Sequence, residues 1–112
     1  VAEPALGWLH ANCGHCHNTV GIPFSNPFSL SVLVGQSSVE ATSTYLTAIG
    51  VPVAKFVHQG INLRVAPGSP STSCIGYRIS VRGREQMPPL DSKVTSPDGI
   101  AKINAWIASL PP

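Results

Sequence analysis

An all-α fold is the class that this sequence predicts, and three stretches carry the prediction. Residues 3–16, 70–82 and 96–110 each place apolar residues at helical spacing, and each opens on a residue suited to a helix start. A chain of 112 residues is expected to form one domain, 1–112, with a modest apolar core. In the first stretch Glu3 favours the positive end of a helix and Pro4 fits its first position. Leu6 and Leu9, with Ala5, make the buried stripe. In the second, Ser69 is a natural N-cap and Pro70 a natural N1 residue, and Cys74, Tyr77 or Arg78, and Val81 recur on one face. The third has the strongest pattern. Ser96 caps, Pro97 sits at N1, and Ile100, Ile103, Trp106 or Ile107, and Leu110 follow one face until Pro111 stops the helix.

Between the first two helices, Pro23, Pro27, Gly35, Gly50, Pro52 and Gly60 break the chain repeatedly, so residues 19–67 are expected to be a long irregular segment. Ser37-x-x-Glu40 is a capping-box pattern that would open a short helix, although Thr42, Thr44 and Thr47 weaken it. The runs 28–34 and 51–57 read as strands or as ordered loop.

Charged residues make up 11% of the chain and the formal net charge is +2, from seven Lys/Arg and five Asp/Glu. So small and scattered a charge argues against nucleic acid, an anionic membrane surface, or partner capture through a lysine patch. No segment approaches the roughly 20 apolar residues of a membrane span. The opening Val1-Ala2-Glu3-Pro4 has neither the basic start nor the apolar core of a signal peptide. It and the Pro111-Pro112 ending suit a module excised at linkers from a longer protein.

The most informative motif is Cys13-Gly14-His15-Cys16-His17. C-x-x-C-H is the attachment signature of c-type haem: two thiols on one turn form thioethers to the vinyl groups, and the adjacent histidine is carried to the iron. Two other chemistries use part of this set. Cys-Gly-His-Cys is also a disulfide-exchange tetrapeptide, but that arrangement needs a buried strand before it, and residues 4–12 read as helix. Zinc would need ligands beyond the two thiolates, such as His17, His58 or Cys74, and no second C-x-x-C or H-x-x-x-H pair supplies them. Haem attachment places the mature domain outside the cytoplasm, in the periplasm or extracellular space. Of the three cysteines it leaves Cys74, which reads as a small buried residue on a helix.

With haem accepted, Met87 becomes the candidate sixth ligand. It is the only methionine, and Pro88-Pro89 restrict its loop just before the last helix. His58 competes for that position from the irregular middle. Tyr77, Arg82 and Trp106 are candidates for contact with the haem, with Arg82 best placed to reach a propionate because it ends a helix before the Met87 loop. Arg78 and Arg84 are weaker candidates. His10 and His15 read as exposed polar residues, and Asn18 and Thr19 as helix-ending ones.

These residues resemble the class I c-type cytochromes, small single-haem electron-transfer domains. The resemblance rests on the haem motif after an N-terminal helix, Met87-Pro88-Pro89, and a closing helix with Trp106. It implies a crossing of first and last helices in which Ala5 and Leu9 meet Ile103 and Trp106, with Ala5 in place of the usual glycine. A narrower similarity covers Val65-Ala66-Pro67-Gly68-Ser69-Pro70-x-x-Ser73, Arg82 and Gln86-Met87-Pro88-Pro89-Leu90, and points to cytochrome domains appended to larger secreted bacterial redox proteins. The family implies a monomeric, non-enzymatic electron carrier with one covalent haem c. Cys13, Cys16, His17, Met87, Arg82, Tyr77 and Trp106 would contact the haem, His17 and Met87 would bind the iron, and a redox protein or neighbouring domain would be the partner. Two alternatives stand beside it: a haem sensor or enzyme with an open sixth site, and a disulfide oxidoreductase using Cys13 and Cys16.

Overall fold

The last helix meets the first, and the rest of the chain is arranged around that crossing. In the computed structural model, which describes residues 1–20 and 27–112, the elements are α1 (Ala2–Cys13), α2 (Ser43–Ala48), a 3₁₀ turn (Pro70–Thr72), α3 (Cys74–Ser80) and α4 (Pro97–Ser109). The molecule is a small, compact all-α structure with a radius of gyration of 12.9 Å. Among the described residues only isolated β-bridges occur, and no helix is long and apolar enough to cross a membrane.

Ala5 and Leu9 of α1, and Ile103 and Ile107 of α4, are fully buried, and Trp106 is 1% exposed. Leu6, Ile75, Ile79 and Leu110 extend this core. Gly99, in the first turn of α4, is required by the packing: a Cβ there would lie 2.2 Å from Trp8 Cε2. The cap of α4 is as the sequence implies, with the Ser96 hydroxyl accepting a bond from Gly99 N at 3.2 Å.

Elsewhere the elements depart from their expected bounds. The first helix ends at Cys13, so Cys16 and His17 lie in the following turn, where both backbone N–H groups donate to Cys13 O. The second expected helix is divided. Pro70 opens only a 3₁₀ turn, Ser73 is extended, and the α-helix begins at Cys74 and ends at Ser80. The break follows from Ser73, whose buried hydroxyl bonds Ala66 N at 2.8 Å and Ser69 O at 2.8 Å, tying the chain to the preceding loop. Ser69 makes no side-chain cap bond.

The Ser37-x-x-Glu40 pattern opens no helix. The short α2 starts later, with Thr42 accepting from Tyr45 N at 3.1 Å. Residues 28–34 and 51–57 form no strand. Around Pro52 the pairing is an isolated bridge to Leu63, flanked by Val53 N to Asn62 O (3.0 Å) and Arg64 N to Val51 O (2.8 Å). Pro23 lies outside the described residues.

Candidate functional site

The helix end at Cys13 opens onto a cavity of about 500 Å³, within the range of about 300–1,000 Å³ usual for cofactor and ligand sites. Cys13, Cys16 and His17 line it. Met87, Pro88 and Pro89 line it as well, together with Trp8, Phe28, Leu30, Ile75, Ile79 and Ile100. The wall is mostly apolar, with Arg64, Arg78 and Arg82 among its polar groups.

Backbone contacts set the motif's shape. Gly14 is buried, and a Cβ there would come within 2.7 Å of His10 O and 3.1 Å of the Ser31 hydroxyl. Glycine thus lets residues 28–31 close over the turn. That segment is laced to the motif by Leu30 N to His17 O (2.7 Å) and the Ser31 hydroxyl to Gly14 O (3.0 Å). Asn18 caps the turn by donating to the carbonyls of Gly14 and His15. His10 accepts from Val32 N at 3.0 Å, a structural bond, while the exposed His15 lies at the cavity edge.

The His17 ring meets Phe28 edge-on, with centroids 4.9 Å apart. Burial, and then the charges of Arg78, Arg64 and His15, hold its imidazole below the ordinary histidine range, which favours the neutral form needed by a metal ligand. Cys13 is the last residue of α1, at the negative end of the helix. Burial and the neighbouring Cys16 push its thiol up to about 11. Both effects oppose the stabilised thiolate on which disulfide exchange depends. Among the described residues, no group of three or more His, Cys, Asp or Glu is disposed to hold a metal ion by itself.

Met87 reaches the cavity on a loop that packing on the rest of the chain does little to hold at its far end: Leu90, off the cavity wall, is exposed. Hydrogen bonds hold it instead. Met87 N donates to Arg78 O at 2.9 Å. The Gln86 side chain accepts from Gly83 N and donates to Pro88 O and Ser92 O, each at 2.9 Å. Arg82 follows α3 and donates through Nη1 to Val81 O and through Nη2 to Val94 O. Its Nε is buried with no hydrogen-bond partner among the described residues.

The other expected contacts are distributed differently. Trp106 is in the helix crossing and is not among the cavity-lining residues. Tyr77 also lies off the wall, its hydroxyl donating to Glu85 at 3.0 Å. His58 is engaged with Glu85 at 3.0 Å and packs on Tyr77 (centroids 4.4 Å), away from the cavity lining.

Among the wall residues that the sequence reading did not single out, two stand out. Arg64 is 7% exposed, donates from Nη1 to Pro27 O and Thr47 O at 2.6 Å, and has its guanidinium 4.6 Å from the Phe28 ring centroid. It has no carboxylate partner among the described residues. Its position between Leu63 and Val65, a charge inside an apolar run, was the available signal. Trp8 is the second, one residue from the buried Leu9 on α1 and turned toward the cavity. Cys74 is buried and on the same wall, its thiol pushed up by burial.

The lining suits a mainly apolar group that carries anionic oxygens. Two thiols and an imidazole are grouped at one helix end, Met87 lines the cavity from a separate loop, and a buried arginine and an unpartnered guanidinium Nε supply donors for anionic oxygens. No family model, curated protein or solved structure matches the chain.

Proposed function

We propose that the chain is a single-electron carrier with the class I c-type cytochrome fold, one haem c being attached through Cys13 and Cys16 and ligated by His17 and Met87. Convergence carries the reading: a C-x-x-C-H motif at the end of α1 and the lone methionine, far apart in sequence, line one largely apolar cavity.

Bound there, the haem supplies the one-electron iron couple. Cys13 and Cys16 fix it covalently, so it is retained even though a small domain buries limited apolar surface. His17 contributes a neutral imidazole, and Met87 a thioether sulfur, which favours the ferrous state and raises the potential. Leu30, Ile75, Ile79 and Ile100 exclude water. Arg64 and Arg82 provide the donors best suited to propionate oxygens. With His17 and Met87 both holding the iron, the domain would perform no turnover of its own, and its partners would be a redox protein or a neighbouring domain outside the cytoplasm.

Denaturing mass spectrometry of the protein produced in a host able to mature c-type cytochromes tests the attachment. One haem added to the chain mass is the expected result. Recovery of the bare polypeptide from such a host contradicts the proposal.

A further inference from the structure

The loop that brings Met87 to the cavity is fastened to the body by backbone bonds to Arg78 and, beside them, by the carboxylate of Glu85. Its Oε1 accepts from the Tyr77 hydroxyl at 3.0 Å and its Oε2 lies 3.0 Å from His58 Nδ1. Its backbone carbonyl accepts from Arg78 Nε at 2.9 Å, and the carbonyl of Arg78 in turn accepts from Met87 N at 2.9 Å. The partners are themselves held. The Tyr77 ring packs on His58, His58 stacks on Phe56 (centroids 6.1 Å, planes within 2°), and the Arg78 guanidinium lies 4.5 Å from the Phe56 ring centroid. Glu85 therefore joins three parts of the chain: α3, the segment around residues 56–58, and the loop two residues before Met87.

We infer that Glu85 is a positioning residue for Met87, holding the loop closed over the cavity through Tyr77 and His58. The inference rests on the reading of Met87 as an iron ligand. The side chains of His58 and Glu85 are 34% and 37% exposed, so their Coulombic attraction is modest. The contribution lies in geometry. Leu90, beyond the cavity wall, is exposed, and the loop is tied to the body by hydrogen bonds whose partners come from two other segments. Gln86 organises the loop internally, whereas Glu85 and the Met87 N bond to Arg78 O attach it to the body, Glu85 being the one that does so through its side chain. This gives His58 a task other than binding iron and accounts for Tyr77 facing away from the cavity.

The test is an imidazole titration of the oxidised, haem-loaded protein. Imidazole binds the iron only when Met87 leaves, so its apparent affinity reads the fraction of open loop. Glu85→Ala removes both side-chain bonds and should raise imidazole affinity roughly tenfold or more, with a lower potential and a weaker sulfur-to-iron charge-transfer band. Tyr77→Phe deletes one hydroxyl and should produce a smaller rise, about threefold to tenfold; it remains decisive if Glu85→Ala fails to fold. Glu85→Gln keeps an acceptor for Tyr77 and should lie between wild type and Glu85→Ala. Wild-type affinity in both Tyr77→Phe and Glu85→Ala, alongside a clear rise in Met87→Ala, overturns the clamp and leaves the ligand assignment standing. No change in Met87→Ala overturns the ligand assignment and the clamp with it.

Discussion

Substituting Gly99 by alanine isolates the closest approach in the helix crossing. The new Cβ would lie 2.2 Å from Trp8 Cε2, 2.3 Å from Cζ2 and 2.7 Å from Nε1, against 3.4–4 Å for ordinary contact. The indole must therefore retreat by more than 1 Å, the difference between those distances, or α4 must shift on α1. Overpacking of this kind costs roughly 1–3 kcal/mol. Alanine's better helix propensity offsets at most about 1 kcal/mol of that. A net loss of about 1–2 kcal/mol should appear in a urea titration followed by far-ultraviolet circular dichroism. The cause can be checked in a double-mutant cycle with Trp8→Ala: once the indole is gone, Gly99→Ala should be neutral or mildly stabilising, a coupling of at least about 1 kcal/mol. An unchanged urea midpoint in Gly99→Ala, or the same loss with and without Trp8, would refute the packing argument.

Three further outcomes are expected. Trp106→Ala should cost roughly 3–5 kcal/mol in the same titration, as a large-to-small change in the core; a loss within experimental error would mean the indole is not buried. Ser96→Ala should lower stability by about 1 kcal/mol through loss of the bond from Gly99 N, and Ser96→Asp should restore most of it. Acid should loosen the Met87 loop. The hydrogen bond with His58, and then that from Tyr77, hold the Glu85 carboxyl below its ordinary 4.5 despite opposing desolvation, so its stabilisation is present above that value and lost as pH falls through the lower folded one. The protection factor of the Met87 amide, which removes the intrinsic pH dependence of exchange, should fall over that range in wild type and be less pH-dependent in Glu85→Gln.

How much of this could be read from the chain varies with the kind of interaction. The closing helix was legible because Ser96, Pro97 and the spacing of Ile100, Ile103 and Ile107 all act locally. Residues 70–82 were legible only in part: Pro70 correctly marks a helical start, but the long-range bonds of Ser73 divide the segment. The middle of the chain was opaque because side chains hold it together. Ser29, Ser43 and Thr47 bond to one another and to backbone, and Arg64 gathers the carbonyls of Pro27 and Thr47, without leaving a period in the sequence. At the site, the Cys13–His17 motif and Met87 stood out as unusual residues. Arg64 and Trp8 did not, because their approach to the cavity depends on how separate segments pack. The same limit applies to Tyr77, a reasonable propionate partner by position, whose hydroxyl is directed to Glu85.

The most direct measurement of the central claim is the near-infrared absorption of the oxidised protein before and after Met87→Ala. Sulfur bound to ferric iron gives a weak charge-transfer band, and ligation by His17 and Met87 predicts its presence in wild type. Met87→Ala should abolish it, lower the potential and admit carbon monoxide to the ferrous form. A wild-type protein without the band that binds carbon monoxide rapidly, and a Met87→Ala variant indistinguishable from it, would contradict the account and point to an open haem site.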